Sequence, residues 1–178
     1  MKKLYYVRHG QSEFNVSGHY SGTTDTPLTK EGKRQAKLAA QQAKNLNIDN
    51  IVSSPLIRAL DTAKIIAKEI GYPIEKIHTN KLFIERHFGE LEATPWLPDL
   101  NLDGVADIET VDSLLERSKL ALEFLQTVKA NHILVVGHGS FGRAFRSQLF
   151  PDQPYINTTS NPKAINYIPN AKIVSFID

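Results

Sequence analysis

Cysteine is absent from the chain, which excludes disulfides, zinc–thiolate sites and cysteine nucleophiles together. Strong charge of one sign is missing as well. Lysine and arginine number 21 against 19 aspartate and glutamate, so the net charge is only +2, too weak for the electrostatic footprint of a nucleic-acid binder. No long hydrophobic run exists: the opening MKKLYYVRHG breaks its apolar stretch after a few residues, too soon for a signal-peptide core or a membrane span. A cytoplasmic protein that binds neither nucleic acid nor membrane is the expectation, and any anion it handles must be held at a local site. No internal repeat or low-complexity tract is present. At 178 residues one domain, 1–178, accounts for the length.

Within those limits, apolar runs of strand length recur at 4–7, 50–54, 132–137, 164–168 and 172–177, with a weaker one at 76–80. Helical patterns lie between most of them. Thr29 is placed to cap a helix whose Ala36, Ala39, Ala40, Ala43 and Leu46 share one face. Pro55 suits the first position of a second helix that carries Leu56, Ala59, Leu60, Ala63, Ala67 and Ile70 and stops at Gly71. A third helix spans about 110–130, and a fourth begins after Ser140. Alternating strands and helices predict an α/β fold, a three-layer α/β/α sandwich with a mostly parallel central sheet. Segments 86–109 and 150–163, rich in Pro with acidic or Asn and Thr residues, read as lids.

In such a sheet, ligands bind beyond the carboxyl ends of the strands. That is where VRHGQSEFN ends the first strand on Arg8 and His9, and where ILVVGHGSFG ends a later one on His138. If the two strands are neighbours, both histidines converge on one pocket, flanked by Gly10, Gly137 and Gly139, which would let backbone approach a ligand. The strand at 50–54 leads to Arg58 in the first turn of the next helix, where backbone N–H groups favour an anion. Arg8, His9, Arg58 and His138 repel one another unless something negative sits among them. A phosphoryl group fits, because arginine forks pair with its oxygens and a neutral imidazole can attack phosphorus. The leaving oxygen then needs an acid; Glu85 is the candidate in LFIERHFGELE, although Glu90 and Glu92 would serve by residue type.

With those residues in view, the chain resembles the histidine phosphatase superfamily, the branch containing the cofactor-dependent phosphoglycerate mutases and many small phosphatases. VRHGQSEFN, LTKEGKRQA, SSPLIRALDTA, ERHFGELE and VVGHGSFGR match its motifs in the family's order, from residue 4 almost to the end. The resemblance implies a cofactor-free, metal-independent phosphatase acting on a small phosphorylated substrate. His9 would be the nucleophile and Glu85 the proton donor. Arg8, Asn15, Arg58, His138 and Gly139 would bind the phosphoryl group, with Ser12, His19, Gly22, Arg86 and His87 as rim candidates. The stretch from Phe88 to Glu116 has no lysine or arginine but eight acidic residues, whereas the mutases supply cations there for a doubly anionic substrate. A phosphatase is therefore favoured over a mutase, which the ERH tripeptide keeps in play.

Other readings carry less. GHGSFG, 137–142, has the spacing of a dinucleotide fingerprint, but INTTSNP supplies no acidic residue where that fingerprint expects one. A metal-dependent hydrolase lacks the helical histidine spacing, and a phosphate-binding regulatory module has no positive support. His78 and His132 are expected at the surface. Trp96, the single tryptophan, is expected to pack a lid rather than stack on a substrate. Thr158, Thr159 and Asn161 suit either turns or the substrate. Composition does not address the oligomeric state.

Overall fold

The computed structural model of the chain describes residues 2–97, 100–157 and 167–177. The residues group into strands β1 (Lys3–Arg8), β2 (Asn50–Ser53), β3 (His78–Thr79), β4 (His132–Gly137) and β5 (Ile173–Ile177). Between them lie helices α1 (Glu13–Ser17), α2 (Lys30–Ala43), α3 (Ile57–Ile70), α4 (Val111–Thr127) and α5 (Gly139–Leu149). The strands form one sheet in the order β3-β2-β4-β1-β5, parallel except for β5, which runs antiparallel to β1. The strand expected at 164–168 falls largely outside the described residues, and Tyr167 and Ile168 are not in a strand. No described helix is long and apolar enough to cross a membrane.

Side-chain alternation in β1 feeds two unlike layers. Tyr5 and Val7 face an alanine-lined layer in which Ala39, Ala40 and Ala43 of α2 meet Ala59, Ala63 and Ala67 of α3. Leu4 and Tyr6 face an aromatic layer of Phe83, Phe141, Phe145 and Phe176 against α4 and α5. Small side chains let α2 and α3 lie close to the sheet, while the opposite face is filled by rings, Tyr6 stacking on Phe176 at 5.1 Å.

Helix ends follow local chemistry. The Thr29 hydroxyl accepts from the Gly32 N–H, and α3 stops at Gly71, whose φ of 75° is left-handed. Pro55 lies two residues ahead of α3 rather than at its first position, because the chain first makes a short bend in which the Leu56 N–H is taken by Ser54 Oγ. α5 starts at Gly139, two residues before the expected start, with His138 as its N-cap.

Candidate active site

β1 and β4 pair in register, Arg8 opposite Gly137, so their carboxyl ends deliver His9 and His138 side by side. The imidazole rings lie 5.2 Å apart. Both are buried, as is Arg58, which is 0 % exposed. A cavity of about 260 Å³ opens over them, lined at its floor by Arg8, His9, Arg58, Glu85, Gly139 and Ser140. His138 lies beneath this floor rather than on it.

The imidazole of His9 is oriented by its neighbours. Nδ1 is 2.7 Å from the Gly10 carbonyl oxygen, which can only accept, so Nδ1 carries the hydrogen and Nε2 keeps its lone pair. Arg58 Nε donates to that lone pair across 3.3 Å. Burial, reinforced by the Arg58 and Arg8 guanidinium groups, holds His9 well below the usual histidine range, so the ring is neutral near pH 7. Asn170 Nδ2 fixes the His9 carbonyl at 2.8 Å.

Arg58 is held at its far end by carbonyls. Nη1 donates to Thr24 at 2.9 Å and Nη2 to Gly22 at 2.7 Å. Burial pulls its guanidinium down to about 10, still charged at neutral pH. The Gly22–Thr24 loop is in turn organised by Glu92. That carboxylate accepts from the Thr23 and Thr24 backbone N–H groups at 2.8 and 3.0 Å, from both threonine hydroxyls and from the Phe88 N–H. Burial pushes the Glu92 carboxyl up, but these hydrogen bonds outweigh it and hold it below the usual range. Glu92 is thereby occupied as an acceptor and unsuited to the proton-donor role its residue type allowed. Sequence reading could not find this function, since Thr23 and Thr24 lie 69 and 68 residues from Glu92 and leave no local signal.

His138 is anchored from two sides. The Tyr6 hydroxyl donates to its carbonyl and accepts from its N–H, each at 2.8 Å, making a side-chain bridge between β1 and the start of α5. Ser54 Oγ accepts from the Leu56 N–H and lies 2.8 Å from His138 Nε2; in the tautomer where the Ser54 hydroxyl donates to Nε2, the imidazole hydrogen is on Nδ1. His138 Nδ1 and Arg8 Nε are both buried without a hydrogen-bond partner among the described residues. Arg8 Nε at the cavity and, in that tautomer, His138 Nδ1 beneath it are donors to which an anion low in the cavity would give a partner. Burial, with Arg58 and His9 nearby, also lowers the His138 pKa.

Glu85 reaches the floor from the other side. Its Oε1 accepts from the Arg86 and Phe141 N–H groups, both at 2.8 Å, and Oε2 from the Ser140 N–H at 3.0 Å. Two of these donors belong to the first turn of α5, the end that attracts negative charge. A carboxylate has about four lone-pair positions, so one remains for a proton. Arg117 fixes the segment by donating to the carbonyls of Leu82, Ile84 and Glu85 while pairing with Glu109 at 2.7 Å.

Of the remaining sequence candidates, Asn15, His19 and Gly22 line the cavity, whereas Ser12, Arg86 and His87 do not. Ser12 caps α1 in a capping box with Asn15, and Asn15 Oδ1 is taken by the Ser12 N–H. Arg86 points its guanidinium to the Glu109 carbonyl, Tyr155 and Asn157, tying loops together. His87 is turned to the Asp107 carbonyl. Gly10 and Gly137 serve packing: a Cβ at Gly10 would strike the Gly32 backbone and one at Gly137, as at Gly142, would strike the Tyr6 side chain, whereas Gly139 lines the cavity beside the Arg8 guanidinium. That packing also accounts for two glycines of the dinucleotide-like spacing. Thr158, Thr159 and Asn161 lie outside the described residues. Phe14, Tyr20, Phe88, Trp96 and Tyr167 also line the cavity, and their residue types alone gave no indication of it.

Residues 4–164 match the histidine phosphatase superfamily (branch 1). Among curated proteins, the chain is 31% identical to the uncharacterized phosphatase PhoE of Bacillus subtilis (strain 168), over 89% of this chain and 83% of that one. It is 35% identical to the probable phosphoglycerate mutase GpmB of Photorhabdus laumondii, over 78% and 70%. Among solved structures, a mutant phosphoserine phosphatase from Entamoeba histolytica in complex with phosphoserine superposes with a TM-score of 0.77 at 29% identity, over 98% of this chain and 90% of that one. The order of strands, the paired strand-end histidines and the match over most of the length agree: the chain belongs to the histidine phosphatase superfamily, branch 1.

Proposed function

We propose that the protein is a phosphomonoesterase working through a phosphohistidine on His9. The observation that carries this is the orientation of the His9 ring, its Nδ1 bonded to the Gly10 carbonyl and its Nε2 lone pair directed to a buried guanidinium, with Arg8 Nε and His138 Nδ1 buried nearby without a partner among the described residues. A phosphoryl group entering the floor takes the Arg58 Nε hydrogen bond away from His9 and receives Arg8 Nε and His138 Nδ1. The freed Nε2 lone pair then forms the N–P bond while the P–O bond to the alcohol breaks. Glu85 supplies the proton to the departing oxygen, so no alkoxide is released. In the second half, water gives a proton to Glu85 as its oxygen attacks phosphorus; the P–N bond breaks and inorganic phosphate leaves. The protein's contribution is positioning and stabilisation of a spreading negative charge.

The mutase alternative needs a second anion subsite. Among the described residues the cavity's arginines are Arg8 and Arg58, both at the phosphate floor, and Arg86 is turned away. That favours hydrolysis over transfer between two anionic positions.

The test is phosphate release from a panel of phosphomonoesters with excess chelator, with His9→Ala as control. We expect chelator-resistant release that falls by roughly 10⁴-fold or more in the variant, while near-ultraviolet circular dichroism is unchanged. Wild-type rates from His9→Ala would overturn the mechanism. Absence of release from every ester, with binding retained, would favour a mutase requiring a priming phosphate or a binding module.

A further inference from the structure

Beyond the phosphate floor, the cavity wall is aromatic. Phe14 comes from α1, His19 and Tyr20 from the following loop, and Phe88 and Trp96 from the segment after Glu85. The rings are paired: Phe14 and His19 lie 5.7 Å apart at 39°, Tyr20 and Phe88 5.5 Å apart at 47°. Backbone pairing between the two loops holds this wall. The Tyr20 N–H donates to Thr94, the Ala93 N–H to Tyr20, and the Trp96 N–H to Gly18 at 2.6 Å. His19 and Pro95 form an antiparallel bridge. Trp96 lines the cavity and nevertheless remains 36 % exposed, a large side chain only partly covered. Its expected role as lid packing is therefore incomplete.

The charges point the same way. The Arg58 donors are committed to Gly22, Thr24 and the phosphate position, and the segment from Phe88 to Glu116 contributes only acids. A substrate body bearing a carboxylate would meet no lysine or arginine at the wall among the described residues. The volume of about 260 Å³ falls below the range of about 300–1,000 Å³ usual for drug-sized ligands, so the body is small.

We propose that the alcohol portion of the substrate is a small, flat, uncharged ring that stacks against the Phe14–Trp96 wall. The assignment rests on the phosphomonoesterase reading for its chemistry, but the recognition it describes can be measured without turnover.

Trp96, the one tryptophan, is its own reporter. Its fluorescence is titrated with benzylphosphonate, methylphosphonate and 3-phosphonopropanoate, whose C–P bonds resist hydrolysis. We expect benzylphosphonate to bind about 10-fold more tightly than methylphosphonate, from ring stacking and buried area, with 3-phosphonopropanoate no tighter than methylphosphonate. Calorimetry on Trp96→Leu and, as a second variant, Phe14→Ala should shrink the benzyl advantage to about 3-fold or less in at least one. Tightest binding by the carboxylate compound, or an undiminished benzyl advantage in both variants, would overturn the proposal. In turnover, benzyl phosphate should exceed glycerol phosphate, glucose 6-phosphate and 3-phosphoglycerate in kcat/KM. Esters hydrolysed without ring preference would sink this inference alone. Ring-selective phosphonate binding without hydrolysis of any ester would sink the phosphomonoesterase reading and leave ring recognition standing.

Discussion

At and just beneath the floor of the cavity, Arg58 and His138 are 0 % exposed, Arg58 held by backbone carbonyls and His138 by the Tyr6 hydroxyl on its backbone. At the rim, Trp96 is 36 % exposed and its neighbours come from loops joined by a few backbone hydrogen bonds. The two regions lack opposite things. The floor has buried nitrogens, Arg8 Nε among them, with no partner among the described residues, a demand that an anion would meet. The rim has apolar area that needs covering. Reaction type is thus written into the sheet and its helix starts, while substrate choice is written into the loops, where it can change without disturbing the floor.

The strongest break in that comparison is a change to the floor that spares the rim. Glu85→Gln removes the transferable proton while keeping the side chain's shape, although its amide must face the Ser140 N–H now directed at Oε2. We expect hydrolysis of an alkyl ester such as benzyl phosphate to fall by about 10³-fold, with a loss of about 10-fold or less for an aryl ester whose leaving oxygen needs little protonation. Affinity for benzylphosphonate relative to methylphosphonate should be unchanged. Equal losses on both esters would give the acid's role to another group.

Glu92 is where the two regions meet. It belongs to the rim segment yet organises the loop whose carbonyls hold Arg58. If it acts through Arg58, Glu92→Ala should lower kcat/KM about 10- to 100-fold for ring-bearing and ringless esters alike and weaken inhibition by inorganic phosphate in proportion, with Glu92→Gln recovering part of the loss. A loss confined to ring-bearing esters would place Glu92 with the rim instead.

Tyr6 sharpens the contrast from beneath the floor. Tyr6→Phe leaves the stacked ring in place but strands the His138 N–H and carbonyl, so unfolding free energy should fall by about 1–3 kcal/mol. Urea denaturation measures it. An unchanged midpoint would mean that those backbone groups find other partners.

The difference between floor and rim also explains what could be read in advance. Arg8, His9, Arg58 and His138 were legible because strand ends in a parallel sheet have one address and their motifs are contiguous in sequence. Only motif context singles out Glu85 as a candidate in the sequence, since its three backbone donors come from Arg86 and the distant Ser140 and Phe141. Arg86 and His87, adjacent to it, were expected at the rim but turn to Glu109 and Asp107, because a loop's side-chain directions depend on what packs behind it. Tyr6 and the wall aromatics look like ordinary core residues by type. Their tasks arise only when distant segments meet.

The smallest effect separates the regions by pH. Burial, with the Arg58 charge beside them, depresses the pKa values of both His9 and His138 in the folded protein. In the unfolded chain both titrate near the ordinary value of about 6.5. Above that value neither state carries the protons, and the pair leaves the pH dependence flat. As pH falls below about 6.5, the unfolded chain binds protons that the folded floor refuses, so stability declines, by up to about 1.4 kcal/mol per pH unit for each histidine. Ordinary carboxylates titrate lower, near 4, which leaves the window from pH 7.5 to 5.5 mainly to histidines. Across it we expect the unfolding free energy to fall by about 2–3 kcal/mol, and by about half as much in His9→Asn, where one of the two groups is gone. A flat wild-type profile would mean that the floor accepts protons as readily as solvent does. It would also remove the electrostatic reason for a neutral nucleophile at His9.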